Sequence, residues 1–229
     1  LNFDLMYDDD FGFGYDKEKD YLFFKNELAK YYPEANFEYL KKGYDFAYEK
    51  YQNKFRASGS PYYTHPLTVA ILLIRYFKVY DERILVAAFL HDVIEDTQKD
   101  ESPVSKQDIA EYFNDEDLAR IVDAVTKISH DNINEEFITY EIKYGNAISE
   151  DVKEFLNRKK IQKALTYRKL FMTLIQDVRV IILKLADRLH NVLTLHYFQD
   201  KQKAKDIADE TLKFYAGFAY RLGFMNVGR

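Results

Sequence analysis

The stretch VIILKLADRLHNVLTLH, residues 180–196, reads as a helix with two unlike faces. Leu185, Leu189 and Val192 recur at spacings of three and four, the repeat that aligns side chains along one side of an α-helix. Asp187, Asn191 and Thr194 follow the same rule on another face. A polar row on so apolar a helix needs a partner, because a buried carboxylate without one is neutralised or destabilises the fold.

AAFLHDVIEDT, residues 87–97, supplies that partner. Within it His91 and Glu95 are one helical turn apart, as are Asp92 and Asp96, and the run before them is apolar. A third donor, His65, stands just before Pro66, where a helix is expected to start. Imidazole nitrogens and carboxylate oxygens together suit manganese, iron or zinc. A cation would cancel the carboxylate charge and fix the imidazole tautomers. An isolated His-Asp pair more commonly caps a helix or pairs with a base such as Arg188. The apolar run, the second acidic pair and the separate Asp187 seam together turn the reading toward a metal site.

Outward from these two segments the chain reads as helical throughout. Glycine (8) and proline (4) are scarce among 229 residues, which favours long helices over many short strands. Helical periodicity runs through about 37–54, through LTVAILLIRYF, through ERILVAAFLHDVIEDT as one helix, and through DEDLARIVDAVTKIS. Ser105 with Asp108 three residues on forms a capping-box variant. Residues 154–196 read as two helices and about 203–222 as the last. The loop RASGSPYYTHP, 56–66, breaks the pattern with Gly59, Pro61 and Pro66. Residues 129–153 are polar and aperiodic, a surface insertion or a lid. The expected fold is an all-α bundle in one domain over 26–229, preceded by a flexible tail over 1–25. That tail is acidic and aromatic, and its Gly12-x-Gly14 lacks the third glycine of a dinucleotide loop.

Composition narrows the function. The balance of 33 basic against 38 acidic residues argues against a nucleic-acid coat protein. The basic stretch RKKIQKALTYRK, 158–169, is therefore read as a solvated helix face. With no cysteine, disulfides, thiolate metal sites and cysteine nucleophiles are excluded. No apolar run reaches the roughly 18 residues that span a bilayer, and the start shows no basic–apolar–small leader. The expectation is a cytoplasmic protein with no membrane or nucleic-acid partner.

HDVIEDT, with SGSPYYTHP upstream and KLADRLHN downstream, resembles the HD-domain alarmone hydrolases, the hydrolase half of Rel/Spo proteins and their small single-domain relatives. The resemblance covers about 40–225 and extends to GYDFAYEKY, IVDAVTKIS and ADETLKFYAGFAYRLG. It implies an HD-domain helical bundle with one manganese ion per site, held by His65, His91, Asp92 and Asp187. It implies that Glu95 and Asp96 position the attacking water and move protons. Arg56 and Ser58 match the loop that cradles the nucleotide, Asn191 and Thr194 the seam facing ribose and base, and Lys127 and Thr211 fall at further pocket positions.

The implied activity is manganese-dependent hydrolysis of the 3′-pyrophosphate of guanosine tetra- or pentaphosphate to GDP or GTP, which lowers the stringent-response alarmone. Alternatives are an adenosine alarmone, the 2′-phosphate of NADPH, a general HD nucleotidase or phosphodiesterase, and a non-catalytic alarmone-binding regulator or antitoxin. A homo-oligomer and a partner alarmone synthetase stay open, and no synthetase domain is expected within the chain. Two positions depart from the family pattern: Ala57, where the loop often carries lysine, and Leu193, where the helix often carries arginine. Both make the site less basic. His190 and His196 are read as structural and His130 as exposed.

Overall fold

The computed structural model describes residues 12–14, 16–128 and 177–224. The expectations for 129–153, for 158–169 and for His130 lie outside them. The helices are α1 (Lys17–Ala29), α2 (Phe37–Lys50), α3 (Thr64–Arg75), α4 (Glu82–Leu90), α5 (Val93–Asp96), α6 (Lys106–Phe113), α7 (Glu116–Ile128) and α8 (Val178–Leu193). A 3-10 turn (Leu195–Tyr197), α9 (Lys201–Glu210), a π-helical turn (Thr211–Tyr215) and α10 (Ala216–Arg221) complete the described chain. Among the described residues extended pairing is limited to one isolated bridge, Phe55 with Pro61. The architecture is an all-α bundle.

Two helices form its centre. On α3 every residue from Thr64 to Ile74 is buried, and on α4 every residue from Ile84 to Leu90. A helix apolar on all sides finds water on none, so it belongs inside. The two pack on one another, with α8 against α3, α2 and α7 against α4, and α1 against α3. Close approach of α2 to α4 needs Gly43, where a Cβ would lie 2.7 Å from Val86 Cγ1. The N-termini are capped by side chains that accept orphan N–H groups: Asn36 for α2, Asp81 for α4, Asp177 for α8 and Asp200 for α9. The box expected at Ser105 and Asp108 forms in full on α6.

Two expectations are corrected. The helix expected across 82–97 is broken, since α4 ends at Leu90 and α5 starts at Val93, leaving His91 and Asp92 at the junction. His91 Nδ1 donates to the Ala88 carbonyl at 2.8 Å, the acceptor that the Asp92 N–H would use in an unbroken helix. The tail expected over 1–25 is too long, because α1 begins at Lys17 under an Asp16 cap. Tyr21, Phe24 and Leu28 lie at helical spacing and are buried, and Phe13 also reaches the core. Buried Asp20 accepts from the Tyr63 hydroxyl at 2.7 Å and from the Gly14 N–H at 2.9 Å, tying the start of the described chain to the head of α3.

Candidate metal centre and nucleotide cavity

Four side chains converge from three places on the chain. His65 comes from the first turn of α3, His91 and Asp92 from the α4–α5 junction, and Asp187 from the middle of α8. His65 Nε2 lies 3.5 Å from Asp92 Oδ2 and 3.3 Å from Asp187 Oδ1. His91 Nε2 lies 3.2 Å and 3.6 Å from the same two atoms. One atom each of His65, His91 and Asp187 falls within a sphere that a single cation could fill, and all three residues are buried.

Two observations fit a divalent cation there. His91 Nε2 is buried and makes no hydrogen bond among the described residues, although both carboxylates are near. With its Nδ1–H given to Ala88, a neutral His91 turns an unused lone pair toward them. The field at the cluster also calls for positive charge. Burial opposes a charged His91, but Asp92 and Asp187 outweigh it and lift its pKa to about 10. Burial likewise works against ionised Asp92 and Asp187. The His91 imidazole for Asp92, and Lys184 followed by the two imidazoles for Asp187, hold both carboxyls well below the usual range. A metal ion supplies the same compensation more strongly than a proton can.

Beside the cluster opens a cavity of about 560 Å³, the size typical of a small-molecule site. Glu95 and Asp96 reach it from α5, one turn beyond His91 and Asp92. Burial, and then the charge of Asp92, push the Asp96 carboxyl up to about 6, and its Oδ2 is buried without a hydrogen bond among the described residues. That value suits a group that takes and returns a proton near neutral pH.

The loop ahead of α3 forms one wall. The Phe55–Pro61 bridge closes it, and Gly59 turns it at a φ of 89°, a conformation that favours glycine. Lys54 docks it beside α5 through the Asp96 carbonyl at 2.7 Å and Asp100 at 2.8 Å. Arg56, Ala57 and Ser58 face the cavity from this loop. Arg56 Nη2 donates to Thr194 Oγ1 at 3.3 Å, bridging loop and α8. Asn191 Nδ2 donates to Asp187 Oδ1 at 2.8 Å.

Lys127 and Thr211 stand apart from the cavity. Lys127 is exposed and pairs with Asp123 at 2.7 Å, while the Thr211 hydroxyl donates to the Ile207 carbonyl at 2.7 Å. Leu193, one of the two departures from the family pattern, is not among the lining residues either.

Several lining residues escaped the sequence reading. Tyr62 donates to Asp92 Oδ2 at 3.4 Å. Lys184 pairs with Asp187 Oδ2 at 2.9 Å, and its three-residue spacing from Asp187 carries a signal for that contact. Arg188 turns away from the His-Asp pair to Glu210 at 3.2 Å and lies over the Tyr215 ring at 4.6 Å. The π turn begins directly after Glu210 and ends on Tyr215, both of which line the cavity, and such turns often occur at functional sites. Arg56 and Lys203 make no ion pair among the described residues, so both cations face the cavity with charge to spare.

No helix among the described residues is long and apolar enough to cross a membrane. Comparison with known proteins agrees with the geometry. A guanosine-3′,5′-bis(diphosphate) 3′-pyrophosphohydrolase of Aquifex aeolicus (strain VF5) is 37% identical over 201 residues, 88% of this chain and 24% of the relative. The bifunctional (p)ppGpp synthase/hydrolase SpoT of Escherichia coli (strain K12) is 36% identical over 203 residues, again 88% and 24%. A GTP pyrophosphokinase of Myxococcus xanthus is 35% identical over 196 residues, 86% and 22%. The chain thus spans under a quarter of the length of these curated relatives. The HD domain family matches residues 43–225, from α2 past α10 and across all four clustered side chains. The chain belongs to the HD domain family.

Proposed function

We propose that this chain hydrolyses the 3′-pyrophosphate of guanosine tetra- or pentaphosphate in a manganese-dependent reaction, releasing GDP or GTP and pyrophosphate. The observation that carries the reading is the adjacency of two unlike clusters in one cavity. His65, His91, Asp92 and Asp187 offer nitrogen and oxygen donors to a cation, and Glu95 and Asp96 stand one turn away on the same wall. The two relatives whose names specify (p)ppGpp hydrolysis supply the substrate class.

His65, His91, Asp92 and Asp187 would hold the ion. When bound, a divalent cation lowers the pKa of water and offsets charge developing on phosphoryl oxygens. Asp96, with its carboxyl lifted to about 6, accepts a proton from the attacking water. The water oxygen forms a bond to phosphorus, the bond from phosphorus to the 3′-oxygen breaks, and the leaving 3′-oxygen takes the proton from the acidic pair. Glu95 orients the water. Arg56 holds the phosphates from the loop, and Asn191 and Thr194 face the ribose and base. Tyr62 steadies Asp92, and burial keeps its hydroxyl protonated so that it donates.

The test is a manganese-supplemented panel of guanosine alarmone, adenosine alarmone, NADPH and a generic phosphodiester, with products identified. The expected result is pyrophosphate and GDP from guanosine tetraphosphate, at the highest kcat/KM of the panel. Absence of pyrophosphate from every alarmone would overturn the reading.

A further inference from the structure

His65 and His190 meet in an unusual way. Their Nδ1 atoms are 2.6 Å apart, and the rings meet edge to edge at a centroid separation of 4.8 Å with planes 22° apart. Both residues are buried, His190 completely. Two nitrogens at that distance share one proton, with one ring donating and the other accepting. The far side of His65 decides which. Its Nε2 faces Asp187 Oδ1 and Asp92 Oδ2, the side on which a cation would bind. A metal-bound imidazole needs its lone pair at Nε2, so the His65 proton sits on Nδ1.

We infer that His190 is a positioning residue for the metal centre: its Nδ1 accepts the Nδ1–H of His65 and thereby fixes the ring and tautomer that present Nε2 to the ion. The inference rests on the cation reading above. His91 reaches the same tautomer by the commoner route, giving its Nδ1–H to a backbone carbonyl. His65 lies in the first turn of α3, and its Nδ1 meets the imidazole that α8 carries three residues beyond Asp187. One helix thus supplies a ligand and the support for another. The Thr194 hydroxyl donates to the His190 carbonyl at 3.1 Å, stiffening the end of α8 beneath that ring.

The test uses the full chain and manganese alone. Calorimetric titration compares the native protein with His190→Phe, which keeps the bulk and removes the acceptor, and with His190→Asn, whose Oδ1 can stand near the lost Nδ1. Loss of a ligand's outer partner costs roughly 10–100-fold in metal affinity. That loss is expected for His190→Phe, with most of the affinity restored in His190→Asn. A purely packing role would put the two variants in the opposite order. Unchanged affinity in His190→Phe would overturn the inference and leave the metal reading standing, whereas no manganese binding by the native protein would overturn both. If His190→Phe fails to fold, nitrogen-15 shifts of the native protein loaded with zinc decide the matter. A protonated Nδ1 on His65 is expected, and a protonated Nδ1 on His190 with a bare one on His65 would refute it.

Discussion

Helices α3 and α8 lie side by side in the same bundle, yet they are buried for opposite reasons. On α3 the interior is nearly all apolar, from Leu67 through Ile74, and its ionisable contribution is His65 at the first turn. On α8 the buried set includes Lys184, Asp187 and His190 among Val180, Leu183, Leu185 and Ala186. Apolar burial stabilises by itself, at about 25 cal/mol per Å² removed from water. Polar burial only breaks even when every group is satisfied, and breaking one pair costs about 3–5 kcal/mol. Here Lys184 holds Asp187 Oδ2 while Asn191 holds Oδ1. The lesson is that α3 supplies rigidity and α8 supplies chemistry, and substitutions on the two should fail differently.

The largest effect is expected at Asp187. Asp187→Ala should drop pyrophosphate release below detection and abolish manganese binding, measured by product analysis and calorimetry on the same sample. Turnover like that of the native chain would erase the distinction between the two helices. Next come Glu95→Gln and Asp96→Asn, each expected to lower kcat by roughly 10²–10⁴-fold while keeping the metal. Loss of metal in either would move the acidic pair into the ligand set. On the apolar side, Leu73→Ala should lower unfolding free energy by about 2–5 kcal/mol. Its kcat/KM at low temperature should stay close to native, and a large kinetic defect would show that the core does more than support.

The smallest expected effect concerns pH. Arg179 pairs with Asp117 at 2.7 Å, joining α8 to α7, and holds that carboxyl well below its usual range. A carboxyl with a lowered folded pKa contributes stability that is full above its unfolded value of about 3.9 and is lost as pH falls below it. Arg179→Met should therefore flatten the acid limb of the stability curve. The pair is partly exposed, so the change should stay within about 1 kcal/mol. Urea titrations at pH 3 and pH 7 measure it, and an unaltered acid limb would remove the pair from the account.

Much of this was readable because period and chemistry coincide on short segments. The row Asp187, Asn191 and Thr194 follows from spacing, and the cap at Ser105 from one residue pair. The break at His91 was not readable, since helical periodicity continues through it and only the ring's bond to Ala88 interrupts the helix. Residues 16–25 were misread because an acidic, aromatic composition masked the Asp16 cap and the stripe of Tyr21, Phe24 and Leu28. Lys203 lies on an otherwise solvated helix, and nothing in its neighbours marks it as facing the cavity. His190 was read as structural because its spacing did not add to the metal-ligand set. Its meeting with His65 is tertiary, formed across 125 residues.

The central claim is that the buried polar seam exists to hold a cation. Manganese titration of the metal-stripped chain, followed by electron paramagnetic resonance, tests it most directly. The native protein should hold one ion tightly per chain, and Asp187→Ala none. Saturable binding that survives Asp187→Ala, or none in the native chain, would contradict it.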